Sequence, residues 1–205
     1  MILETLVTTL DPEGRGHCAP MGIVLDDTSA RTDPDGHQEV VLRPFGTAAT
    51  ARNLSLLGEG VVNFTDDVLL MARSALGPVS PPMLPSSRVR PPRLRAACSW
   101  KEFVVSDSDR SGERFTLRAA VVAEGRGREF LGFNRARHAV IEATILATRL
   151  HLLDPDIIEA EIARLRPLVE KTGGARERLA FAFVAAFVRE ARTAEAAAAA
   201  PKGTA

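Results

Sequence analysis

The stretch Leu42-Arg43-Pro44-Phe45-Gly46-Thr47-Ala48-Ala49-Thr50-Ala51-Arg52-Asn53-Leu54 decides how this chain is read. An apolar run, Val40 to Leu42, ends in an arginine and a proline. A segment dense in hydroxyls follows, then Arg52 and Asn53, then a second apolar run through Val61, Val62, Asn63 and Phe64. Strand, turn, short helix, strand is the simplest reading. It gathers two guanidiniums, two threonine hydroxyls, an amide and several backbone N–H groups around one turn, which are the donor types a phosphate requires. The plainer reading makes Thr47 an N-cap and leaves both arginines in solvent. Spacing alone does not separate the two.

The bulk numbers bound what surrounds this turn. The chain has 205 residues, enough for one domain with a core plus an appendage. Acids and bases balance at 26 each, which argues against a general polyanion-binding surface, so a nucleic-acid partner is not expected. No apolar run approaches the roughly 20 residues of a membrane span. The N-terminus lacks the basic segment of a signal peptide. With only Cys18 and Cys98 present, a disulfide framework is not expected, and a cytoplasmic address is.

Upstream of the turn, residues 2–10 alternate and are rich in β-branched side chains, so a strand is expected. Asp11-Pro12-Glu13-Gly14 reads as a turn, residues 21–25 as a second strand, residues 33–36 as another turn and residues 39–43 as the third strand. The helix is expected over 47–57, stopped by Gly58, with a fourth strand over 59–64. Asp66 and Asp67 open a helix that ends at Gly77. Residues 78–96 interleave six prolines with Arg88, Arg90, Arg93 and Arg95 and read as an extended loop without its own core. Such a loop suits an anionic ligand, a lid, or a mobile solvated segment. Residues 98–106 and 114–124 return to strand character around a turn at 107–112.

Strands joined by hairpin-type connections, with no regular βαβ alternation, point to an antiparallel sheet or barrel. From Asn134 the period becomes helical. Asn134 caps a helix to about Leu153. Asp154 and Pro155 start a second helix, and Gly173-Gly174 separates it from a third over 175–193. Alanine-rich residues 194–205 read as a disordered tail. The expected class is α+β, with a β domain over 1–131 and a helical subdomain over 132–193.

A second basic turn lies at Asn134-Arg135-Ala136-Arg137-His138. Cations there oppose the helix dipole, which an anion on the free N–H groups would relieve. The plainer reading is a solvated turn with His138 paired to Glu142. His17 and Cys18 are read as turn and core positions. The histidines and cysteines lack the paired spacing of a zinc site, so no metal is expected, and neither a dinucleotide-binding nor a P-loop glycine pattern occurs.

Several motifs together resemble one family. They are Ile2 to Thr9, Ala19-Pro20-Met21-Gly22, Leu42-Arg43-Pro44-Phe45 with Arg52-Asn53-Leu54, Val61-Val62-Asn63-Phe64-Thr65-Asp66-Asp67, Gly132 to Ala139, and Glu170-Lys171-Thr172-Gly173-Gly174. In this order they are similar to the DUF447 family, related to the flavin reductase-like, FMN-binding split β-barrels. The resemblance implies an antiparallel split β-barrel with a C-terminal helical subdomain, acting as a homodimer with FMN near its interface. It implies that Arg43, Thr47, Thr50 and Asn53 face the FMN phosphate, with Pro44 and Arg52 among the cofactor-binding residues. It implies that the strands of Ala19, Pro20 and Met21 and of Val61, Val62 and Asn63 lie along the isoalloxazine. Asn134, Arg137 and His138 would hold either an FMN phosphate or a second ligand. The implied activity is flavin-dependent reduction of a small molecule, a pterin or a second flavin, linked to tetrahydromethanopterin one-carbon metabolism. A non-catalytic flavin carrier, or a binder of another phosphorylated small molecule, is the alternative.

Overall fold

The computed structural model describes residues 1–25 and 38–199. The turn expected at residues 33–36, His37 and the end of the tail, residues 200–205, lie outside the described residues. In chain order the elements are β1 (Ile2–Leu10), β2 (Gly16–Val24), β3 (Glu39–Leu42), α1 (Ala49–Leu57), β4 (Glu59–Phe64), α2 (Val68–Leu76), β5 (Met83–Leu84), β6 (Arg93–Leu94), β7 (Ser99–Asp109), β8 (Thr116–Arg126), α3 (Arg135–Ala147), α4 (Pro155–Thr172) and α5 (Ala175–Ala199).

Among the described residues, six strands close a barrel in the order β1-β2-β3-β8-β7-β4, every neighbouring pair antiparallel. The alternation seen in the sequence explains its filling. Val7, Ile23, Val40, Leu42, Val62, Phe103, Leu117 and Ala119 form one buried cluster, and Leu54 of α1 joins it. Burying each large apolar side chain contributes about 1.5–3 kcal/mol. Gly60 sits opposite Phe103, where a Cβ would fall 2.4 Å from the Phe103 ring, so glycine is required there.

β2 begins earlier than the sequence suggests. It pairs with β1 along its whole length, from Leu10↔Gly16 to Ile2↔Val24, so His17 and Cys18 are strand residues rather than turn residues. Pro20 is tolerated inside β2 because the other side of that strand pairs with β3 only at Ile23 and Val24. A residue without an N–H suits such an unpaired edge.

The proline- and arginine-rich segment is also more ordered than its composition suggests. β5 and β6 pair within it, and Leu94 and Val89 are buried. Leu94 N–H donates to Asn63 Oδ1 at 2.8 Å, and Thr8 Oγ1 donates to the Pro92 carbonyl at 2.6 Å. Glu102, 1% exposed, receives the Ser87 and Arg88 amides and the Ser87 hydroxyl. Burial alone would raise this carboxyl, but the Ser87 and Arg88 donors hold it below the usual carboxylate range. Residues 78–96 are therefore a strap bonded to β1, β4 and β7, not a loop without anchors.

The chain divides into two compact units, Met1–Asp67 with Val79–Leu131, and Val68–Pro78 with Gly132–Ala205. α2 thus groups with the C-terminal helices, whereas composition alone ran the barrel domain unbroken over 1–131. The reason is packing: Val68, Leu69 and Ala72 share a core with Val140, Ile158, Ile162, Val169, Phe181 and Val184.

Within that unit, Asn134 caps α3 through its Oδ1, and Asp154 with Pro155 opens α4. α3 ends at Ala147, short of Leu153, in a run of turns. α5 continues to Ala199, past the expected end at Thr193, because alanine has the highest helix propensity. The part of the expected tail over 194–199 is thus helical. Among the described residues no helix is long and apolar enough to cross a membrane.

Candidate functional site

α1 carries the densest set of phosphate-type donors. Its N-cap is Ala48, which has no side-chain cap bond, and its first turn holds no acid. Thr47 therefore does not cap the helix, as the plainer sequence reading had it. The first-turn N–H groups lack any side-chain acceptor, and the helix N-terminus carries partial positive charge. Arg43 and Arg52 are exposed, as is Thr47, and among the described residues neither guanidinium has an ion-pair partner. Their positive charge adds to that of the helix end.

The turn that presents these groups is fixed from the β7–β8 hairpin. Gly46 N–H donates to the Glu113 carbonyl at 2.9 Å, and Phe115 N–H donates to the Pro44 carbonyl at 2.9 Å. Phe45 and Arg114 form an isolated bridge, and the Arg114 guanidinium stacks on the Phe45 ring at 3.5 Å. Arg114 Nη1 also donates to the Arg43 carbonyl at 3.3 Å. Gly46 is required because a Cβ there would come within 2.8 Å of the Phe115 ring. Pro44 is buried, so the turn has a rigid root.

Helical spacing separates the remaining residues into two faces. Thr50 and Asn53 are i and i+3, and they share the inward face of α1 with Leu54. Asn53 is 3% exposed and donates its amide to Thr9 Oγ1 at 2.9 Å. Thr9 is the cross-strand partner of His17. His17 Nδ1 is buried and has no hydrogen-bond partner. Burial, together with the Arg52 charge, lowers its pKa against the opposing pull of Asp11. Thr9, His17 and Asn53 thus form a buried polar group against α1, with Thr50 buried on the same helix face, while Arg43, Thr47 and Arg52 are exposed. Sequence reading set His17 aside. The signal that would have found it is its register opposite Thr9.

The two strands expected beside an isoalloxazine are neighbours of β1. Ala19, Pro20 and Met21 pair with Val7, Leu6 and Thr5, and all three are half-buried. Val62 and Asn63 pair with Val7 and Leu6 from the other side. Val62 points into the barrel core. Asn63, fully buried, spends its amide on the Leu6 and Val61 carbonyls and on Thr8 Oγ1, and its carbonyl on Leu94. Its polar atoms therefore have internal partners. Nearby Cys18 is buried, which pushes its thiol up to about 12.

In the helical unit, the donors of the second basic turn are also engaged. Asn134 Oδ1 accepts from the Ala136 and Arg137 amides, and Thr172 Oγ1 accepts from Ala136 as well. Asn134 Nδ2 donates to the Thr172 carbonyl at 3.0 Å. Arg137 pairs with Glu177 at 3.0 Å, both side chains largely buried. His138 lies against the Phe133 ring with centroids 6.1 Å apart, so the Glu142 pairing weighed from sequence is not the contact it makes. These residues tie α3 to the end of α4 and the start of α5.

The arginines of the strap are partly committed too. Arg90 pairs with Glu59, and Arg93 stacks on Trp100 at 4.0 Å. Among the described residues no group of three or more His, Cys, Asp or Glu could hold a metal ion.

Comparisons with known proteins bear on this geometry. The family model of the DUF447 N-terminal domain, described as a protein of unknown function, matches residues 3–128, and the C-terminal DUF447 model matches residues 134–185. An FMN-bound DUF447 protein from Methanosarcina mazei is similar at 22% identity and a TM-score of 0.76, over 91% of this chain and 94% of that one. A flavoredoxin from Methanosarcina acetivorans is similar at 12% identity and a TM-score of 0.51, over 64% of this chain and 72% of that one. A 2-nitrobenzoate 2-nitroreductase from Pseudomonas fluorescens is similar at 19% identity and a TM-score of 0.50, over 61% and 64%. At these identities the likeness shows a shared barrel fold.

Proposed function

The chain belongs to the DUF447 family, and on that premise we propose that it is an FMN-binding flavoprotein acting in oxidation–reduction of a small molecule. The observation that carries this reading is the uncapped N-terminus of α1 beside the exposed Arg43 and Arg52. A phosphate monoester dianion fits that donor set: two cations, an exposed threonine hydroxyl, and helix N–H groups without a side-chain acceptor. The FMN bound by the Methanosarcina mazei relative supports the same assignment. Bound FMN supplies the redox chemistry, and the protein supplies binding and orientation.

In this reading Arg43, Thr47 and Arg52 hold the phosphate from outside. Pro44, Thr50 and Asn53 brace the helix that presents it. Gly46 and Phe115 fix the turn. Ala19, Pro20, Met21 and the strand of Val62 and Asn63 form the wall beside which the flavin ring would lie. The protein acts as a homodimer, which the exposure of Leu131 at 73% supports as surface for a second copy. The substrate is a flat heteroaromatic, a pterin or a second flavin.

Titrating FMN into purified protein tests the cofactor. A rise in melting temperature with FMN, larger than with riboflavin, is expected, because riboflavin lacks the phosphate. Reduction of bound flavin by NADH or NADPH, then reoxidation by candidate pterins, tests the activity. A protein that holds FMN but fails both reactions is a carrier.

A further inference from the structure

A second site lies at the mouth of the barrel opposite α1. The turn before α1 follows the end of β3, and α1 leads into the start of β4. At the other mouth β4 and β8 end and β7 begins. Ser99 there is the partner of Phe64 on β4 and of Arg126 on β8. One step further in, Lys101 is the partner of Val62 and of Glu124. Strand residues two apart share a face, and Val62 lies in the barrel core, so this face is the inward one. Trp100, between Ser99 and Lys101, faces out to Arg93 and takes no part.

A cavity of about 350 Å³ opens at these residues. Its lining runs from charged to apolar across three strands, from Arg126 on β8 through Ser99 on β7 to Phe64 on β4. Neighbouring strands lie about 4.8 Å apart, so this row spans roughly 10 Å. The Phe64 ring is partly buried against the barrel core. Beneath the row Lys101, 16% exposed, pairs with Glu124, 67% exposed. Arg126 is exposed, has no ion pair among the described residues, and acts on Glu124 only through space. Two cations against one carboxylate leave one net positive charge beside an apolar wall.

We propose that this mouth of the barrel binds a short-chain aliphatic monocarboxylate. Arg126 and Lys101 supply charge-assisted bonds to the carboxylate, and its single negative charge balances the site. The Arg126 guanidinium grips both oxygens as a fork. The hydrocarbon end lies past Ser99 onto Phe64, where it leaves water. A phosphate dianion overfills this charge, whereas the two arginines beside the acid-free first turn of α1 match one. This inference does not rest on FMN binding.

Hexanoate, hexanamide and acetate are titrated into the full-length protein at constant ionic strength, with binding read from ligand saturation-transfer NMR. Hexanoate is expected to bind saturably with a Kd of roughly 1 mM, as a ligand of this size allows. Hexanamide, lacking the charge, and acetate, lacking the chain, are expected to bind at least about ten-fold more weakly. Inorganic phosphate at the concentration of hexanoate should leave hexanoate bound. Arg126→Gln should weaken hexanoate by about ten-fold with an unchanged melting temperature, because the side chain is exposed. Glu124→Gln, also at an exposed position, should tighten it by removing the competing carboxylate.

No saturable binding of hexanoate, or equal binding of hexanamide, overturns the site. So does unchanged hexanoate affinity in Arg126→Gln. Equal binding of acetate, or displacement of hexanoate by phosphate, would show an adventitious ion only and overturn the assignment. Displacement of hexanoate by FMN would put both ligands at one mouth of the barrel and overturn a separate site.

Discussion

Asn53 on α1 donates its side-chain amide to Thr9 Oγ1 on β1 at 2.9 Å, and both residues are buried. This bond fastens the inward face of the helix to the barrel and leaves Arg52 on the outward side. Asn53→Ala removes the donor and leaves the Thr9 hydroxyl short of a partner. A loss of about 1–3 kcal/mol in unfolding free energy is expected, read from denaturant midpoints. An unchanged midpoint would show that the bond does not hold α1 in place.

Arg43→Ala is expected to weaken FMN binding by about 1.5–3 kcal/mol, the value of a hydrogen bond to a charged group. The unfolding midpoint without FMN should stay within about 0.5 kcal/mol, because the Arg43 side chain is exposed. Equilibrium titration of FMN against wild type and variant checks this. Equal affinity would remove Arg43 from the phosphate site.

Gly46→Val places a side chain where a Cβ alone already meets the Phe115 ring at 2.8 Å. The turn and the β7–β8 hairpin must then separate. The change is expected to destabilise the protein by about 1–3 kcal/mol and to weaken FMN binding as well. A variant with wild-type melting temperature and wild-type FMN affinity would contradict the clamp.

Glu102 gives a pH-dependent prediction. Its folded-state pKa lies below the ordinary value because the Ser87 and Arg88 donors outweigh burial. A depressed carboxylate contributes stability above its unfolded pKa and loses it as pH falls through its folded pKa. Glu102→Gln should therefore be clearly less stable than wild type at neutral pH. The gap should narrow as pH drops below the usual glutamate range. Limited proteolysis at neutral pH should cut the variant within the strap of residues 78–96. A gap that stays constant with pH would show that the charge of Glu102 is not what anchors the strap.

These relationships were unequally visible in the sequence. The barrel class followed from alternating runs such as Ile2–Leu10 and Glu59–Phe64, whose bounds the structure reproduces. The helix starts at Asn134 and Asp154 followed from cap chemistry, and both side chains accept the expected amides. The strap was not legible, because six prolines mask order that comes from distant partners. Its anchor did leave one mark, a glutamate at position 102 directly before the apolar run Phe103-Val104-Val105.

The candidate site was half visible. Its donors could be read, but not which of them turn inward. Helical spacing held that answer: with Leu54 in the core, Thr50 must share its face. The Asn134 turn could not be resolved locally, since its partners Thr172 and Glu177 lie about 40 residues further along the chain.

Whether α1 and the turn before it hold the phosphate of FMN is tested most directly by the affinity of purified wild-type protein for FMN beside riboflavin. The expected result is clear preference for FMN, lost in Arg43→Ala while riboflavin affinity stays the same. Equal affinity for the two flavins, or no binding of either, would contradict it.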